Sequence, residues 1–96
     1  MTERRKLSEQ EIASRLDSLH GWSTVNGKLH KEFKFEDFKR AFGFMASVAL
    51  IAESMDHHPD WKNVYNRVTI DLMTHDLGGI SALDFEFASK VDRLLP

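Results

Sequence analysis

The stretch that decides the fold is Trp22-Ser-Thr-Val-Asn-Gly-Lys-Leu-His-Lys-Glu-Phe-Lys-Phe35. Its centre, Asn26-Gly27, fits a two-residue type I′ turn, which needs positive φ at both positions and so favours Asn and Gly. Before the turn, Trp22, Thr24 and Asn26 alternate with Ser23 and Val25; after it, Leu29, Lys31, Phe33 and Phe35 share one parity. Side chains on a strand repeat every two residues, so the pattern predicts antiparallel strands over about 21–26 and 28–35.

Working outward toward the N-terminus, Ser8-Glu-Gln-Glu11 reads as a capping box, with Leu7 and Ile12 as its hydrophobic staple. Ile12, Ala13, Leu16 and Leu19 make one helical stripe, and Gly21 offers a C-terminal stop, so a helix is expected over about 9–20. Beyond the hairpin, Asp37 is a helix N-cap. Phe38, Ala41, Phe42, Met45, Ala49, Ala52 and Met55 then recur at helical spacing, and Phe44, Val48 and Ile51 widen the apolar surface past one stripe. A helix so apolar needs cover on more than one side, and in so small a chain a partner subunit is one source of it. Gly43 permits close packing there. Pro59 reads as the stop of this helix and biases His58 toward extended backbone.

Trp61–Val64 reads as a short strand and Tyr65-Asn66 as a turn. In Arg67–Thr74, Val68, Ile70 and Leu72 face one way, while Arg67, Thr69, Asp71, Met73 and His75 face the other. Gly78-Gly79 breaks the chain. Ser81 to Asp84 is a second capping box with Ile80 and Phe85 as its staple, and Leu83, Phe87, Val91 and Leu94 form the inward stripe of a last helix to about 95. The order α-β-β-α-β-β-α, with antiparallel hairpins covered by helices on one face, predicts a two-layer α+β domain over residues 1–96.

Composition narrows the function. The 96 residues hold five histidines and no cysteine, which removes disulfide scaffolds, thiolate zinc sites, iron–sulfur clusters and a cysteine nucleophile. Thirteen basic against fifteen acidic residues give a formal charge of −2, a poor balance for a protein that directly neutralises nucleic-acid phosphates. The charged start lacks an apolar segment after it, and the apolar run Ala41–Ala52 falls well short of the roughly twenty residues a membrane helix needs. A soluble, cytoplasmic protein without membrane partners is expected.

The chemistry concentrates in Glu53-Ser-Met-Asp-His-His-Pro-Asp-Trp61, followed by His75 at the end of the last strand. Imidazole accepts a proton when neutral and donates one when charged, both near pH 7. Three imidazoles beside acids and an indole suit general acid–base work on a planar substrate. The bland alternative makes His57 and His58 charge complements of a helix C-terminus, and Asp56, Asp60 and Asp71 solvated surface acids. Metal ligation by His57, His58 and His75 with Glu53 competes, but adjacent histidines diverge by about 100° on a helix and point oppositely on a strand. No His-Glu-x-x-His spacing is present, and no nucleophile elbow or phosphate loop. Trp61 and Tyr65 fit a strand core or a stacking surface. His20 and His30, isolated, read as structural.

Ala41-Phe-Gly-Phe-Met45, Val48-Ala-Leu50, Ala52-Glu53, Asp56-His-His-Pro-Asp-Trp61, Asn63-Val-Tyr-Asn66 and Thr74-His75 occur in that order. Together they resemble the pterin-4a-carbinolamine dehydratase family over roughly residues 8–95. The resemblance implies a four-stranded antiparallel sheet with three helices on one side. It implies dehydration of a 4a-hydroxytetrahydropterin to the quinonoid dihydropterin, in the recycling of a pterin used by aromatic amino-acid hydroxylation, with neither metal nor redox cofactor. By the same carry-over, His57 and His75 form the acid–base pair and His58 holds the pterin with some part in proton transfer. Glu53 positions an imidazole or the pterin edge, Pro59 and Trp61 shape the pocket wall, and Asp76 is an orienting acid. Asp56 and Asp60 complete the substrate-binding set. Leu83 departs from the family, since some relatives carry a basic residue there. The resemblance also implies dimers or tetramers joined by sheet edges and helices. Animal relatives also serve as dimerisation cofactors of a homeodomain transcription factor through the long helix, and an assembly chaperone is a third role for the fold. Retention of all three histidines favours the enzyme.

Overall fold

A computed structural model of the protein describes residues 4–95. Helix α1 (Glu9–Leu16) opens on the expected capping box: the Ser8 hydroxyl accepts from the Glu11 N–H, and the Glu11 carboxylate accepts from the Ser8 N–H. The Arg5 guanidinium, followed by the Ser8 N–H, holds the Glu11 carboxyl at about 2, below its ordinary 4.5. The helix stops earlier than expected. Ser18 and Leu19 donate to the carbonyls of Arg15 and Leu16, so the chain leaves in tight three-residue turns before Gly21 is reached. Gly21 then takes φ 82°, and the Lys31 side chain lies 3.1 Å from where a Cβ would stand.

The first hairpin forms as its turn chemistry requires. Strands β1 (Ser23–Val25) and β2 (Lys28–Lys34) flank Asn26 at φ 52° and Gly27 at φ 76°. Strands β3 (Asp60–Val64) and β4 (Arg67–Leu72) make the second hairpin, and the antiparallel sheet runs in the order β1-β2-β4-β3. The Asn63-Val-Tyr-Asn66 block is a staple for this hairpin. Asn63 Nδ2 donates to the carbonyls of Tyr65 and Arg67, Asn66 Nδ2 donates to the Phe35 carbonyl, and the Phe35 N–H returns a bond to Asn66. Tyr65, at φ 51° in the turn, is exposed.

Register sorts the sheet faces. Leu29 pairs with Leu72, Phe33 with Val68 and Trp61 with Ile70, so these residues share the core face. The opposite face carries His30 paired with Asp71 and Asp60 paired with Asp71. Helix α2 (Phe38–Met55) begins at Asp37, whose carboxylate accepts from the Arg40 N–H. It buries Ala41, Phe44, Val48 and Ala52. The Phe44 ring lies 4.9 Å from both Phe33 and Phe35, and this aromatic contact selects the face that turns inward. Phe38 and Phe42, expected on the inward stripe, are instead 49% and 58% exposed and touch each other. A helix apolar on most sides offers two stripes, and periodicity alone does not choose between them.

Helix α3 (Ala82–Asp92) starts at its Ser81 cap and buries Ala82, Asp84, Phe85, Phe87, Ala88 and Val91. The stripe is rotated from the expected one: Leu83 is half-buried and Leu94 is exposed. The three helices and four strands therefore follow the order α-β-β-α-β-β-α of an α+β fold, as the sequence predicts. No helix among the described residues is long and apolar enough to cross a membrane.

Candidate active site

The end of α2 sets the first wall of the site. Asp56 takes a left-handed conformation (φ 49°, ψ 44°), and the N–H groups of Asp56 and His57 reach back to Glu53 and Ala52. This is a Schellman ending, so the helix stops at Met55, four residues before Pro59, the expected stop. The turn has a consequence for chemistry. It ties the His57 backbone to the last turn of α2 and carries its side chain inward, while His58 goes outward.

His57 is 9% exposed. Its Nε2 lies 2.6 Å from Asp84 Oδ1, and its ring packs edge-on against Phe87 with centroids 6.0 Å apart. Asp84 is fully buried. Its Oδ2 accepts from the Ser81 N–H at 2.9 Å and from the Thr74 hydroxyl at 3.0 Å. A buried carboxylate is costly unless hydrogen-bonded; every group facing this one is a donor. With the carboxylate accepting, the proton of this bond sits on His57 Nε2, a tautomer assigned from the hydrogen-bond pattern.

His75 lies outside β4 and opens a 3-10 turn, His75–Leu77, closed by the Gly78 N–H on the His75 carbonyl. The turn hangs from Thr74, which forms an isolated bridge with Gly79. Asp56, His57, His58, Pro59, Asp60, Met73, His75 and Asp76 line one open cleft of about 490 Å³. The three histidines thus meet at one place although they come from two chain segments. His58 is 59% exposed, with Nε2 3.4 Å from Glu53 Oε1, so Glu53 reaches the site through His58 instead of lining the cleft.

The other expected residues divide. Pro59, Asp56 and Asp60 line the cleft. Asp60 bonds the Lys28 ammonium at 2.7 Å, which lowers the Asp60 carboxyl and raises the Lys28 amine from their ordinary values. Trp61 is turned to the core face beside Ile70 and is absent from the cleft lining. Strand alternation explains this, since Asp60 and Trp61 must point oppositely. Asp76 lines the cleft but pairs with Arg4; the carboxylate on His57 belongs to Asp84. His30 bonds Asp71 at 2.7 Å on the open sheet face, and His20 is exposed.

Asp84, Thr74 and Met73 are the site residues that sequence reasoning missed. For Asp84 a signal existed: an acid at position 84 shares the helical face of Phe87 and Val91. Among the described residues no group of three or more histidines, aspartates and glutamates has the geometry to hold a metal ion.

A family model, pterin 4 alpha carbinolamine dehydratase, matches residues 5–94. The chain belongs to this family. A relative from Solibacter usitatus, named "Putative pterin-4-alpha-carbinolamine dehydratase", is 63% identical over 93% of this chain and 94% of its own length. A relative of the same name from Prochlorococcus marinus is 49% identical over 96% of both chains. Among solved structures, a transcriptional coactivator/pterin dehydratase from Brucella melitensis superposes with a TM-score of 0.91 at 45% identity, covering 96% of this chain and all of that one. A pterin dehydratase-like protein described as a RuBisCO assembly factor in the alpha-carboxysome matches at 0.66 and 27% identity, over 78% of this chain and 89% of that one.

Proposed function

We propose that the protein is a hydro-lyase that removes water from a 4a-hydroxytetrahydropterin to give the quinonoid dihydropterin. The observation that carries this reading is the meeting of His57, His58 and His75 at one cleft, with His57 held by a buried carboxylate. In the reaction the C4a–O bond breaks, the departing hydroxyl takes a proton and leaves as water, and the neighbouring N5 loses its proton as the C4a=N5 bond forms. No electrons change owner. The enzyme has two protons to move at adjacent atoms, and His57 and His75 divide the task, since an imidazole near neutral pH serves either role. Asp84 orients His57 through the bond at Nε2. His58, steadied by Glu53, holds the ring, and Asp60 and Asp56 supply acceptors for the amino-pyrimidine edge. The chemistry asks for no metal, and no protein cofactor enters the mechanism. Stopped-flow dehydration of a synthetic carbinolamine in a strong chelator is expected to exceed the uncatalysed rate. Activity lost to the chelator and restored only by added metal would contradict the reading.

A second reading concerns partners. Phe38 and Phe42 form an exposed aromatic pair, and Leu50 further along α2 is 73% exposed. This surface supports self-association into a homodimer or homotetramer, and solved relatives described as a coactivator and an assembly factor make another protein a competing occupant. Placing a charge in a covered apolar face opposes association. Phe42→Asp is therefore expected to reduce the sedimenting mass of the wild-type assembly toward that of one chain. An unchanged mass would remove this face from the self-interface.

A further inference from the structure

Thr74 is 1% exposed and carries no role in the mechanism above. Its hydroxyl lies 3.0 Å from Asp84 Oδ2 and 2.6 Å from Ser81 Oγ. Proton counting settles the directions. The ionised carboxylate only accepts, so the single Thr74 hydroxyl proton goes to Oδ2. Ser81 must then donate to Thr74 Oγ1, which agrees with Ser81 Oγ accepting the Leu83 N–H at 3.2 Å. The chain of bonds runs from Ser81 to Thr74 to Asp84, with His57 donating to the same carboxylate from the other side. No buried side-chain polar atom among the described residues lacks a partner, so the network is complete.

The backbone of Thr74 is equally committed. Its N–H donates to Gly79 at 2.8 Å, and its carbonyl accepts from Leu77 at 3.0 Å. Thr74 therefore closes the base of the turn that begins with His75. One oxygen of Asp84 holds His57, and the other holds the residue next to His75.

We infer that Thr74 is a positioning residue whose hydroxyl, through Asp84, registers the His75 turn against His57. A buried and fully satisfied network has discrete arrangements, and losing one member forces the others to find new partners. In Thr74→Val the shape persists but the bond to Oδ2 and the acceptor for Ser81 disappear. Asp84 and the base of the turn then shift, and with them the spacing of the two imidazoles. Displacements on the order of 1 Å cost up to about 100-fold in rate.

The kinetic arm of the test rests on the dehydratase reading; the spectroscopic arm does not. Thr74→Val is expected to lower kcat by about 10- to 100-fold with KM little changed, and Thr74→Ser, which keeps the hydroxyl, is expected to restore most of the rate. With imidazole nitrogens labelled, the His75 NMR signals are expected to move in Thr74→Val and to return in Thr74→Ser. If Thr74→Val does not fold, Thr74→Ala, where water can enter, carries the same comparison. Unmoved His75 signals with wild-type kcat would overturn the inference. So would a loss in Thr74→Ser as large as that in Thr74→Val, because the retained hydroxyl would then restore nothing. A wild-type protein that gives no dehydration above background strikes the dehydratase reading alone, because the His75 signals still decide the positioning claim.

Discussion

Replacing His57 or His75 with alanine is expected to lower the dehydration turnover by a factor of about 10² to 10⁴. Each histidine handles one of two proton transfers, and water in the cleft replaces it poorly because it has neither the proton affinity nor the fixed position. The two variants should differ in stability. His57 fills a buried place against Phe87 and donates to Asp84, so His57→Ala leaves a buried carboxylate short of a donor. His75 is exposed at the start of a short turn, and its removal should leave the melting temperature close to wild type. His75→Ala is accordingly the cleaner kinetic probe. Unaltered dehydration rates in both folded variants would dismiss the acid–base proposal. His57→Gln cannot stand in as a conservative control, because an amide donates to Asp84 but does not titrate.

Phe87→Ala is expected to carry the largest stability effect, a loss of about 3–5 kcal/mol. Phe87 is fully buried among the core residues of α3 and the sheet, and it is the largest of the side chains with no exposure. Its removal forfeits the transfer energy of the ring and leaves a cavity that close-packed neighbours fill only in part. For a domain of this size, each kcal/mol shifts the midpoint by about 4–8 °C, so a fall of more than 10 °C is the expected readout in thermal unfolding. The same ring supports the edge of His57, so activity at temperatures where the variant is still folded should drop as well. A loss of under about 1 kcal/mol would contradict the packing described here, since even a smaller core truncation reaches that size.

The legible parts of this fold were those written in short-range chemistry. Ser8 with Glu11, Asp37 with Arg40, Asn26-Gly27 and Ser81 with Asp84 each act over a few residues, and each stands in the structure in that local role. What sequence did not reveal depends on contacts far apart in the chain. The inward face of α2 follows from Phe44 meeting Phe33 and Phe35, which nothing within α2 specifies. The resemblance implies a place for Trp61 in the pocket wall, but the alternation of β3 turns it to the core beside Ile70. Residue type and spacing single out His57, His58 and His75, and the fold brings the three to one cleft. The partner of His57 was not legible. Asp84 satisfies the capping-box pattern through Oδ2, and that explanation looks complete until the fold brings His57, 27 residues away, onto Oδ1. Asp76, the orienting acid that the resemblance implies, faces Arg4 in the structure.

The measurement that tests the central claim most directly is stopped-flow dehydration of a synthetic 4a-hydroxytetrahydropterin at increasing protein concentration. Wild type is compared with the double variant His57→Ala/His75→Ala. The reading predicts a rate that rises in proportion to wild-type concentration above the spontaneous reaction, and a double variant whose slope lies near zero. Equal slopes for the two proteins, or no slope for either, would contradict it.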